Sequence, residues 1–554
     1  MRAAFSLLIF LPAIALADQA TGAHGAVATA SADASQAALD VLKRGGTAAD
    51  AAVAATLVLA VTEPQSCGIG GGGFALIYDA KKKEIRALDF RERAPVLAHQ
   101  KLYTRDGKVQ PELAQTGALA VGTPGEIAGL YALHQKYGKR PMGELFDDAI
   151  RLASKGFAVS SRLGGAFDYR AEQLAHFDAT KNAWSKGGKW PQTGDKWVQP
   201  DLAKSLKLIQ SKGEPAFYKG DLAKKLVTTV TNYGGVLALT DLAEYQVRWL
   251  DPVSTTYRGY QVYSMPPPSS GGVVLAELLN MMEQIDVAKN GYRSAETIHV
   301  AIEAMRRAYA DRASYLGDPQ FVSVPVAGLM SKDYAKQLFA TIKAGASTSA
   351  DVKPGHPQGA SEPTHTTHLS IVDAEGNAVV LTTTVNGPFG SSLVADGTGI
   401  MLNNEMDDFA IAPGVANQFG LVGSDANAVN PRKTPLSSMT PTLILKDGHL
   451  VYGIGSPGGP TIITTAFWMA LALLDYHTDL ATAVAMPRIH EQWQPDKVMV
   501  ERFGLDVATT KALTDMGYTL EASPPWGNAQ AIGIVDGKRV SASDPRGEGR
   551  ALAY

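Results

Sequence analysis

Apolar residues recur at helical spacing through much of the first half of the chain. An Ala-rich run from Ser35 to Lys43 ends at two glycines, and Thr47 precedes a second run, Ala48 to Val61. A threonine hydroxyl caps the free amides of a first helical turn, whereas glycine favours a helix end. The same spacing predicts further helices at Glu126–Lys136, Met142–Lys155, Leu202–Ser211, Gly272–Gln284 and Ala295–Tyr315.

Strand-like patterns dominate the second half. Ser370 to Asp373 runs through a turn, residues 374–377, into Ala378 to Val385, which is typical of a β-hairpin. The apolar run Thr464 to Leu474 is too short to span a bilayer and is interpreted as a buried helix. Further strands are expected at Phe74–Tyr78, Thr442–Lys446 and Leu450–Gly453.

Several segments between these elements are rich in glycine, proline or small polar residues. Residues 344–363 predict a loose, exposed linker. Tyr257 to Gly272 joins a strand to a helix through a triple proline. The glycines at 68 and 70–73 lack the Lys-Ser/Thr of a phosphate loop and predict a close-packed turn near Arg91.

The first 17 residues predict a cleavable export signal, because one arginine precedes a short apolar run that ends in Ala15-Leu16-Ala17. Cys67 is the single cysteine, so no internal disulfide is possible, and we expect it to be a small buried apolar residue. Export without disulfides means that the core must supply the stability.

Composition is that of an ordinary globular protein. The 554 residues are 45% hydrophobic and 19% charged, with a formal net charge of -3. No basic excess favours a nucleic-acid partner. The length exceeds one usual hydrophobic core, and one large two-layered or four-layered α/β body would fit.

Candidate chemistry lies in SEPTHTTHLSIVDAEGNAVVLTTTVNG, residues 361–387, which hold six threonines and two histidines. Threonine is a weak nucleophile without a base. A free α-amino group has a pKa of about 7.7 to 8.0, so a threonine that becomes an N-terminus carries its own base. A backbone cut in a linker that runs directly into a strand would create one.

The pleat of the two strands separates these hydroxyls. Thr366, His368 and Ser370 share one face, and Thr367 shares the other with Leu369 and Ile371. Thr382, Thr384 and Asn386 share a face of the returning strand. We therefore expect Thr366, Thr384 and Asn386 to meet on a polar side and Thr367 to pack inward.

Several long motifs resemble the γ-glutamyltranspeptidase (glutathione hydrolase) family over nearly all of the chain after the export signal. They are THTTHLSIVD, EPQSCGIGGGGF, DFRERAP (89–95), YRGYQVYSMPPPSSGG (257–272), LNNEMDDF (402–409), PLSSMTPT (435–442) and GSPGGPTIITT (455–465). The resemblance implies an N-terminal-nucleophile hydrolase fold, a four-layer αββα sandwich made by two chains from one self-cleaving precursor. The export signal predicts export to the periplasm or the medium, and the resemblance to bacterial members of the family favours the periplasm.

The resemblance assigns the catalytic parts by position. It implies cleavage between His365 and Thr366, giving a heavy chain (18–365) and a light chain (366–554) that stay together as a heterodimer. Thr366 would then attack glutathione or another γ-glutamyl compound and pass the acyl group to water, an amino acid or a dipeptide. Thr384 matches the threonine that supports the nucleophile, and Gly458 and Gly459 match the oxyanion-binding pair.

Substrate-binding roles follow in the same way. Arg91 matches the arginine that pairs with the substrate α-carboxylate, aided by Ser437 and Ser438; Asn386, Glu405 and Asp408 match the groups that receive the α-ammonium. Arg93 is expected to be solvent-facing or structural. Residues 413–424 resemble the lid of some members, with Phe419 where others have tyrosine. No cofactor and no metal are expected.

Three other functions compete with this interpretation. A β-lactam acylase of the same superfamily would cleave a glutaryl-type side chain, but such a substrate lacks the α-ammonium that Glu405 and Asp408 would receive. A metallohydrolase would use His365 and His368, which lie on opposite faces of an extended segment without HExxH or a cysteine pair. A non-catalytic exported binding protein would remain uncut and inactive.

Overall fold

A computed structural model describes residues 16–291, 293–357, 367–412 and 414–554. His365 and Thr366, the residues of the predicted cut, lie outside these ranges, as do Pro413 and the first 15 residues of the predicted export signal.

The strands in chain order are β1 Asp18–Gly22, β2 Ala26–Thr29, β3 Gly72–Asp79, β4 Glu84–Asp89, β5 Thr104–Arg105, β6 Lys108–Val109, β7 Phe157–Ala158, β8 Lys196–Trp197, β9 Arg248–Leu250, β10 Val253–Tyr257, β11 Tyr260–Ser264, β12 Thr367–Val372, β13 Ala378–Thr384, β14 Val394–Ala395, β15 Ile400–Met401, β16 Thr442–Lys446, β17 His449–Gly455, β18 Ile489–His490, β19 Val498–Glu501, β20 Leu520–Ser523, β21 Gln530–Val535, β22 Lys538–Ser543 and β23 Arg550–Ala553.

The α-helices are α1 Ala32–Lys43, α2 Ala48–Thr62, α3 Glu112–Gln115, α4 Glu126–Tyr137, α5 Asp147–Lys155, α6 Ser161–Ala175, α7 Asp178–Trp184, α8 Pro200–Lys212, α9 Pro215–Tyr218, α10 Asp221–Asn232, α11 Leu239–Ala243, α12 Gly271–Met282, α13 Val287–Asn290, α14 Ala295–Tyr315, α15 Val326–Leu329, α16 Lys332–Phe339, α17 Thr461–Leu474, α18 Leu480–Ala485 and α19 Val507–Asp515.

Two large antiparallel sheets form the centre of the part of the chain that the structure describes. The first has the order β1-β22-β21-β17-β16-β11-β10 and the second the order β23-β2-β12-β13-β3-β4-β9. Both sheets mix strands from before residue 357 with strands from after residue 367. Residues 340–357, after α16, contain no further helix or strand.

Helices cover the outer face of each sheet, so the layers are helix, sheet, sheet and helix. Phe74, Leu76, Val380, Leu443 and Ile532 fill the space between the sheets. One outer core joins the second sheet to α1, α2, α4, α5 and α8, and another joins the first sheet to α12, α14 and α17. The expected four-layer αββα fold is confirmed.

Local sequence signals account for several elements. Thr47 caps α2 in a capping box with Asp50, as its position predicts. Helix α2 is buried along its whole length, which agrees with its largely apolar sequence. Helix α14 has the predicted bounds, and the run at 464–474 belongs to a buried helix, α17. The 374–377 turn joins β12 and β13 in the expected hairpin.

The predicted loose linker at 344–363 differs from the structure over its described part, residues 344–357. Ser347, Ser349 and Val352 are buried. The Ser349 amide donates to Asp496 at 2.7 Å, and the Gly355 amide donates to Asp311 at 2.6 Å. The segment is therefore bound to the body through polar partners far away in sequence, although its own composition is that of a linker.

No helix within the described ranges is long and apolar enough to cross a membrane. The first strand, β1, begins at Asp18, directly after the predicted export signal, and pairs with β22. Cys67 is buried, as expected, and burial raises the pKa of its thiol well above the usual value.

Candidate active site

The ends of several central strands meet at one edge of the sandwich. In the second sheet, Thr367 pairs with Thr383, Thr384 pairs with Gly72, and Phe74 pairs with Asp89. The start of β12, the end of β13, the start of β3 and the end of β4 therefore lie side by side. Arg91 follows β4 by two residues and so emerges at this edge.

The glycine run before β3 packs closely against that edge. A Cβ on Gly71 would lie 1.8 Å from the carbonyl oxygen of Thr384, and one on Gly70 would lie 2.1 Å from that of Met401. Any side chain at these positions would push the neighbouring strands apart. The run is thus a close-packed turn, as predicted, and it brings β13 and residues 401–404 beside Arg91.

Arg91 is fully buried and forms ion pairs with two predicted site residues. Its guanidinium contacts Glu405 and donates to Asp408 Oδ2 at 2.5 Å, and neither carboxylate is exposed to solvent. Arg91 Nε also donates to the carbonyl oxygen of Pro435 at 3.0 Å. Both acids belong to a buried 3₁₀ turn, Glu405–Asp408, so LNNEMDDF is an interior wall and not a solvated acidic loop.

The carboxyl groups around Arg91 have perturbed acidities. Burial raises the pKa of Glu92 well above its usual range, and the charge of Glu405 adds to the rise although Arg91 opposes it. Burial likewise raises the pKa values of Glu405 and Asp408 against the effect of Arg91. One guanidinium thus lies among three buried acids, and burial disfavours the charged form of each of them.

Ser437 and Ser438 lie in the strand-like segment that passes beneath the guanidinium. Both are buried, and the carbonyl groups just before them, those of Pro435 and Leu436, accept from Arg91. The Ser438 hydroxyl accepts from Arg312 at 2.9 Å. The predicted hydroxyl pair therefore adjoins the arginine, and the Ser438 hydroxyl is oriented by a second buried guanidinium.

Thr384 and Asn386 lie together at the end of β13, as their spacing predicts. The Asn386 amide donates to the Thr384 hydroxyl at 2.7 Å, and the side-chain amide of Asn386 donates to the carbonyl oxygen of Asn404 at 3.0 Å. Asn386 Oδ1 is buried without a hydrogen-bond partner among the described residues. The third member of the expected group, Thr366, lies outside those residues.

His368 lies between the two sheets near the start of β12. Its ring nitrogens contact the hydroxyls of Thr382 and Ser370, each at 2.9 Å. Burial lowers the pKa of His368 to about 3, so the imidazole is neutral at physiological pH. A Cβ on Gly455 would lie 2.4 Å from the ring, so the end of β17 lies directly against the start of β12.

Gly458 and Gly459 follow β17 at this edge and precede α17. Both have positive φ, +138° and +65°, which glycine adopts readily. A Cβ on Gly458 would lie 2.5 Å from Thr461 Oγ1. The two residues stand at the amino end of a helix, where backbone N–H groups and the helix dipole favour negative charge.

The described part of the lid segment, residues 414–424, covers Asp408. Asn417 Nδ2 donates to Asp408 Oδ1 at 3.3 Å, and the Gln418 amide donates to Asp407 Oδ2 at 3.2 Å. Between the segment and Asp408 is a cavity of about 10 Å³. The carbonyl oxygen of Phe419 accepts from Gln492 at 3.4 Å.

Three residues of the candidate site were not predicted from the sequence: Glu92, Arg312 and Asn417. Glu92 stands inside DFRERAP, so its motif carried a usable signal. Arg312 belongs to a helix with several arginines, and nothing local distinguishes it. Arg93, by contrast, is structural as expected, because it donates to the Gln246 carbonyl oxygen at 2.6 Å and lies over the Tyr245 ring.

Comparisons with known proteins add independent findings. The family described as Gamma-glutamyltranspeptidase matches residues 34–554. Glutathione hydrolase proenzyme of Escherichia coli (strain K12) is 44% identical over 527 residues, 94% of this chain and 90% of the relative. Among solved structures, a cephalosporin acylase from Bacillus halodurans has a TM-score of 0.87 at 28% identity, covering 100% of this chain and 99% of the other. Helicobacter pylori gamma-glutamyltranspeptidase has a TM-score of 0.58 at 44% identity, covering 59% of this chain and 94% of the other.

Proposed function

The chain belongs to the gamma-glutamyltranspeptidase family, and on that premise we propose that it cleaves itself before Thr366 and then acts as a γ-glutamyl hydrolase and transferase. Its substrates are glutathione and related γ-glutamyl compounds, and its acceptors are water, amino acids and dipeptides. The observation that carries the substrate assignment is the buried Arg91 with its two carboxylate partners, Glu405 and Asp408.

The nucleophile in this proposal is the Thr366 hydroxyl. Its oxygen attacks the carbonyl carbon of the γ-amide while the free α-amino group of the same residue takes the hydroxyl proton. The C–N bond then breaks, the amine leaves with that proton, and a γ-glutamyl ester remains on Thr366. Water or an acceptor amine attacks the ester and restores the hydroxyl.

The site edge supports this choice of residue. If β12 continues by one position in the cleaved enzyme, its register with β13 pairs Thr366 with Thr384, whose hydroxyl already accepts from Asn386. His368 contacts Gly455 where β12 begins and β17 ends, so the Gly458-Gly459 pair that follows β17 lies near the start of β12. That proximity suits a nucleophile and an oxyanion-binding pair.

The electrostatics of the pocket favour a zwitterionic head group. In the structure, Arg91 neutralises its own acidic neighbours. An α-amino acid head can insert between Arg91 and Asp408, with its carboxylate on Arg91 and its ammonium on Asp408, so that each of these two buried charges again has a partner of opposite sign. Asn386 Oδ1, buried without a partner in the described part of the chain, supplies a further acceptor for the ammonium.

A glutaryl head group fits the same pocket poorly. Its carboxylate would take Arg91 and leave the acids without a cation, a cost that the zwitterion avoids. We therefore expect kcat/KM for an L-γ-glutamyl anilide to exceed that for the matching glutaryl anilide by about 100-fold or more, because a buried unpaired charge costs about 3 kcal/mol. Initial rates on the two anilides test this, and a preference for the glutaryl compound would favour the acylase function.

A substitution at Gly458 tests separately whether its backbone helps to bind the oxyanion. Gly458→Ala places a Cβ against Thr461 at a φ that alanine resists, which turns the backbone N–H groups away from the developing oxyanion. We expect kcat to fall about 10²- to 10³-fold with KM little changed. Gly537→Ala is the matched control, since Gly537 also has positive φ but lies in the distant β21–β22 turn. A normal kcat for Gly458→Ala would remove this residue from the mechanism.

Maturation and location complete the proposal. We place the cut between His365 and Thr366, giving chains 18–365 and 366–554 that stay associated. The description of the Escherichia coli relative as a proenzyme supports processing. Residues 1–17 act in this proposal as the export signal to the periplasm, and amino-terminal sequencing of both purified chains tests the two cleavages together.

A further inference from the structure

Asn417 is the centre of a small closed loop in the lid segment. Its side-chain Oδ1 accepts from the amides of Phe419, at 3.0 Å, and Leu421, at 3.2 Å. Its backbone amide donates to the Leu421 carbonyl oxygen at 3.0 Å, and Ala416 bridges to Val422. The turn 417–421 is thus built around this one side chain.

The remaining polar atom of that side chain points at the pocket. Asn417 Nδ2 donates to Asp408 Oδ1 at 3.3 Å, while Asp408 Oδ2 accepts from Arg91 at 2.5 Å. Asp408 is therefore shared between a cation in the pocket wall and an amide in the lid segment. The bond to Arg91 is short and the bond to Asn417 is long, so Arg91 holds the larger share of the carboxylate.

We propose that Asn417 is a positioning residue through which the lid segment responds to the substrate's α-ammonium. This inference rests on the proposed γ-glutamyl function. When a zwitterionic head group binds, its carboxylate replaces Asp408 on Arg91, and its ammonium takes the Oδ2 that Arg91 has released. Asp408 then keeps its negative charge available to Asn417, and this contact holds the turn 417–421 closed over the occupied pocket.

A ligand that has the carboxylate but lacks the ammonium does not hold the turn closed in the same way. Glutarate offers a carboxylate to Arg91 but no cation to Asp408, so the carboxylate of Asp408 is left to take a proton and lose its charge. L-Glutamate satisfies both residues. The contact from Asn417 therefore distinguishes an α-amino acid head group from a simple dicarboxylate, and the lid segment contributes to the selectivity for the γ-glutamyl donor.

Two substitutions test the contact in the cleaved enzyme. Asn417→Ala removes both the turn acceptor and the donor to Asp408. Asn417→Asp keeps the acceptor, and thus the turn, but replaces the donor by a carboxyl that faces Asp408. Asn430→Ala is the matched control, because Asn430 is an exposed asparagine just beyond the lid segment whose side chain contacts only a backbone carbonyl among the described residues.

For Asn417→Ala we expect KM for an L-γ-glutamyl anilide to rise about 10- to 100-fold with kcat within about threefold, the range for losing a hydrogen bond to a charged group. A purely structural role would instead lower the amount of cleaved, active enzyme without this split. Asn430→Ala should match the wild-type protein in both constants.

The pH dependence of Asn417→Asp provides a second readout. The ionisable groups around the introduced carboxyl are Asp407, Asp408, Glu405 and Arg91. Two facing carboxylates share one proton at low pH, and the protonated one can donate. The KM defect should therefore be largest near pH 8 and shrink toward pH 5.5, whereas the defect of Asn417→Ala should not shrink.

Lid closure itself can be followed by chymotrypsin cleavage after Phe419. L-Glutamate should slow cleavage of the wild-type protein about fivefold or more and glutarate should not, whereas neither should protect Asn417→Ala. Equal protection of the variant, an unchanged KM or a pH-independent Asn417→Asp would each overturn the inference. If the wild-type protein fails to turn over the γ-glutamyl anilide, the proposed function itself is wrong.

Discussion

Replacing Thr366 by alanine is expected to leave one uncut polypeptide and to lower γ-glutamyl turnover by about 10⁴-fold or more. The proposed reaction uses this hydroxyl twice, first against the preceding peptide bond and then against the substrate. Without it no new N-terminus forms, so the α-amino base is absent as well as the nucleophile. Intact mass and anilide hydrolysis measure the two losses on the same preparation.

Thr367→Ala is the matched control for this experiment. The neighbouring threonine begins β12 and pairs with Thr383, and we expect its variant to be cut and to retain activity within about tenfold of the wild-type value. Thr366→Ser should restore cutting, because serine keeps the hydroxyl. A Thr366→Ala protein that still separates into two chains, or a light chain that begins at another residue, would contradict the assignment.

Replacing Arg91 by methionine is expected to raise KM for the γ-glutamyl donor at least 100-fold and to lower the free energy of unfolding by about 3 to 5 kcal/mol at pH 8. The substitution removes the cation from Glu405 and Asp408, which are both buried. Arg93→Met is the control, since Arg93 is partly exposed and contacts a carbonyl group and an aromatic ring. Donor kinetics and urea unfolding of both variants measure the effects.

The loss of stability in Arg91→Met should depend on pH in a defined direction. Burial already raises the pKa values of Glu405 and Asp408, and Arg91 is the group that opposes this rise. Without Arg91 both pKa values move further up, so the folded protein prefers the protonated acids. The variant is therefore most stable at acidic pH, and its stability falls as the pH rises through those raised values. An equal loss at pH 5 and pH 8 would contradict this account.

Local signals in the sequence were sufficient for part of the fold. Thr47, the hairpin turn at 374–377 and the apolar run in α17 each predicted the right element, because capping, turn formation and burial are determined within a few residues. Helices α6 and α10 were missed. Their buried faces are narrow, and many exposed polar residues interrupt the apolar pattern.

Long-range pairing explains the remaining differences. Strands β1 and β2 have little apolar alternation and exist because they pair with β22 and β23 near the other end of the chain. The same limit applies to the site. Arg91 and Asp408 are 317 positions apart, and no local pattern indicates that they form an ion pair with each other. The family motifs pointed to both residues but not to their mutual contact, nor to Asn417.

The mixed strand order of the two sheets bears on what happens after the proposed cut. In the second sheet β2 from the heavy chain lies between β23 and β12 from the light chain, and in the first sheet β22 pairs with β1. Neither polypeptide can dissociate without breaking the hydrogen bonds between neighbouring strands in both sheets. Dilution should therefore not separate the two pieces, and two copies of the enzyme should exchange them only as fast as the whole body unfolds.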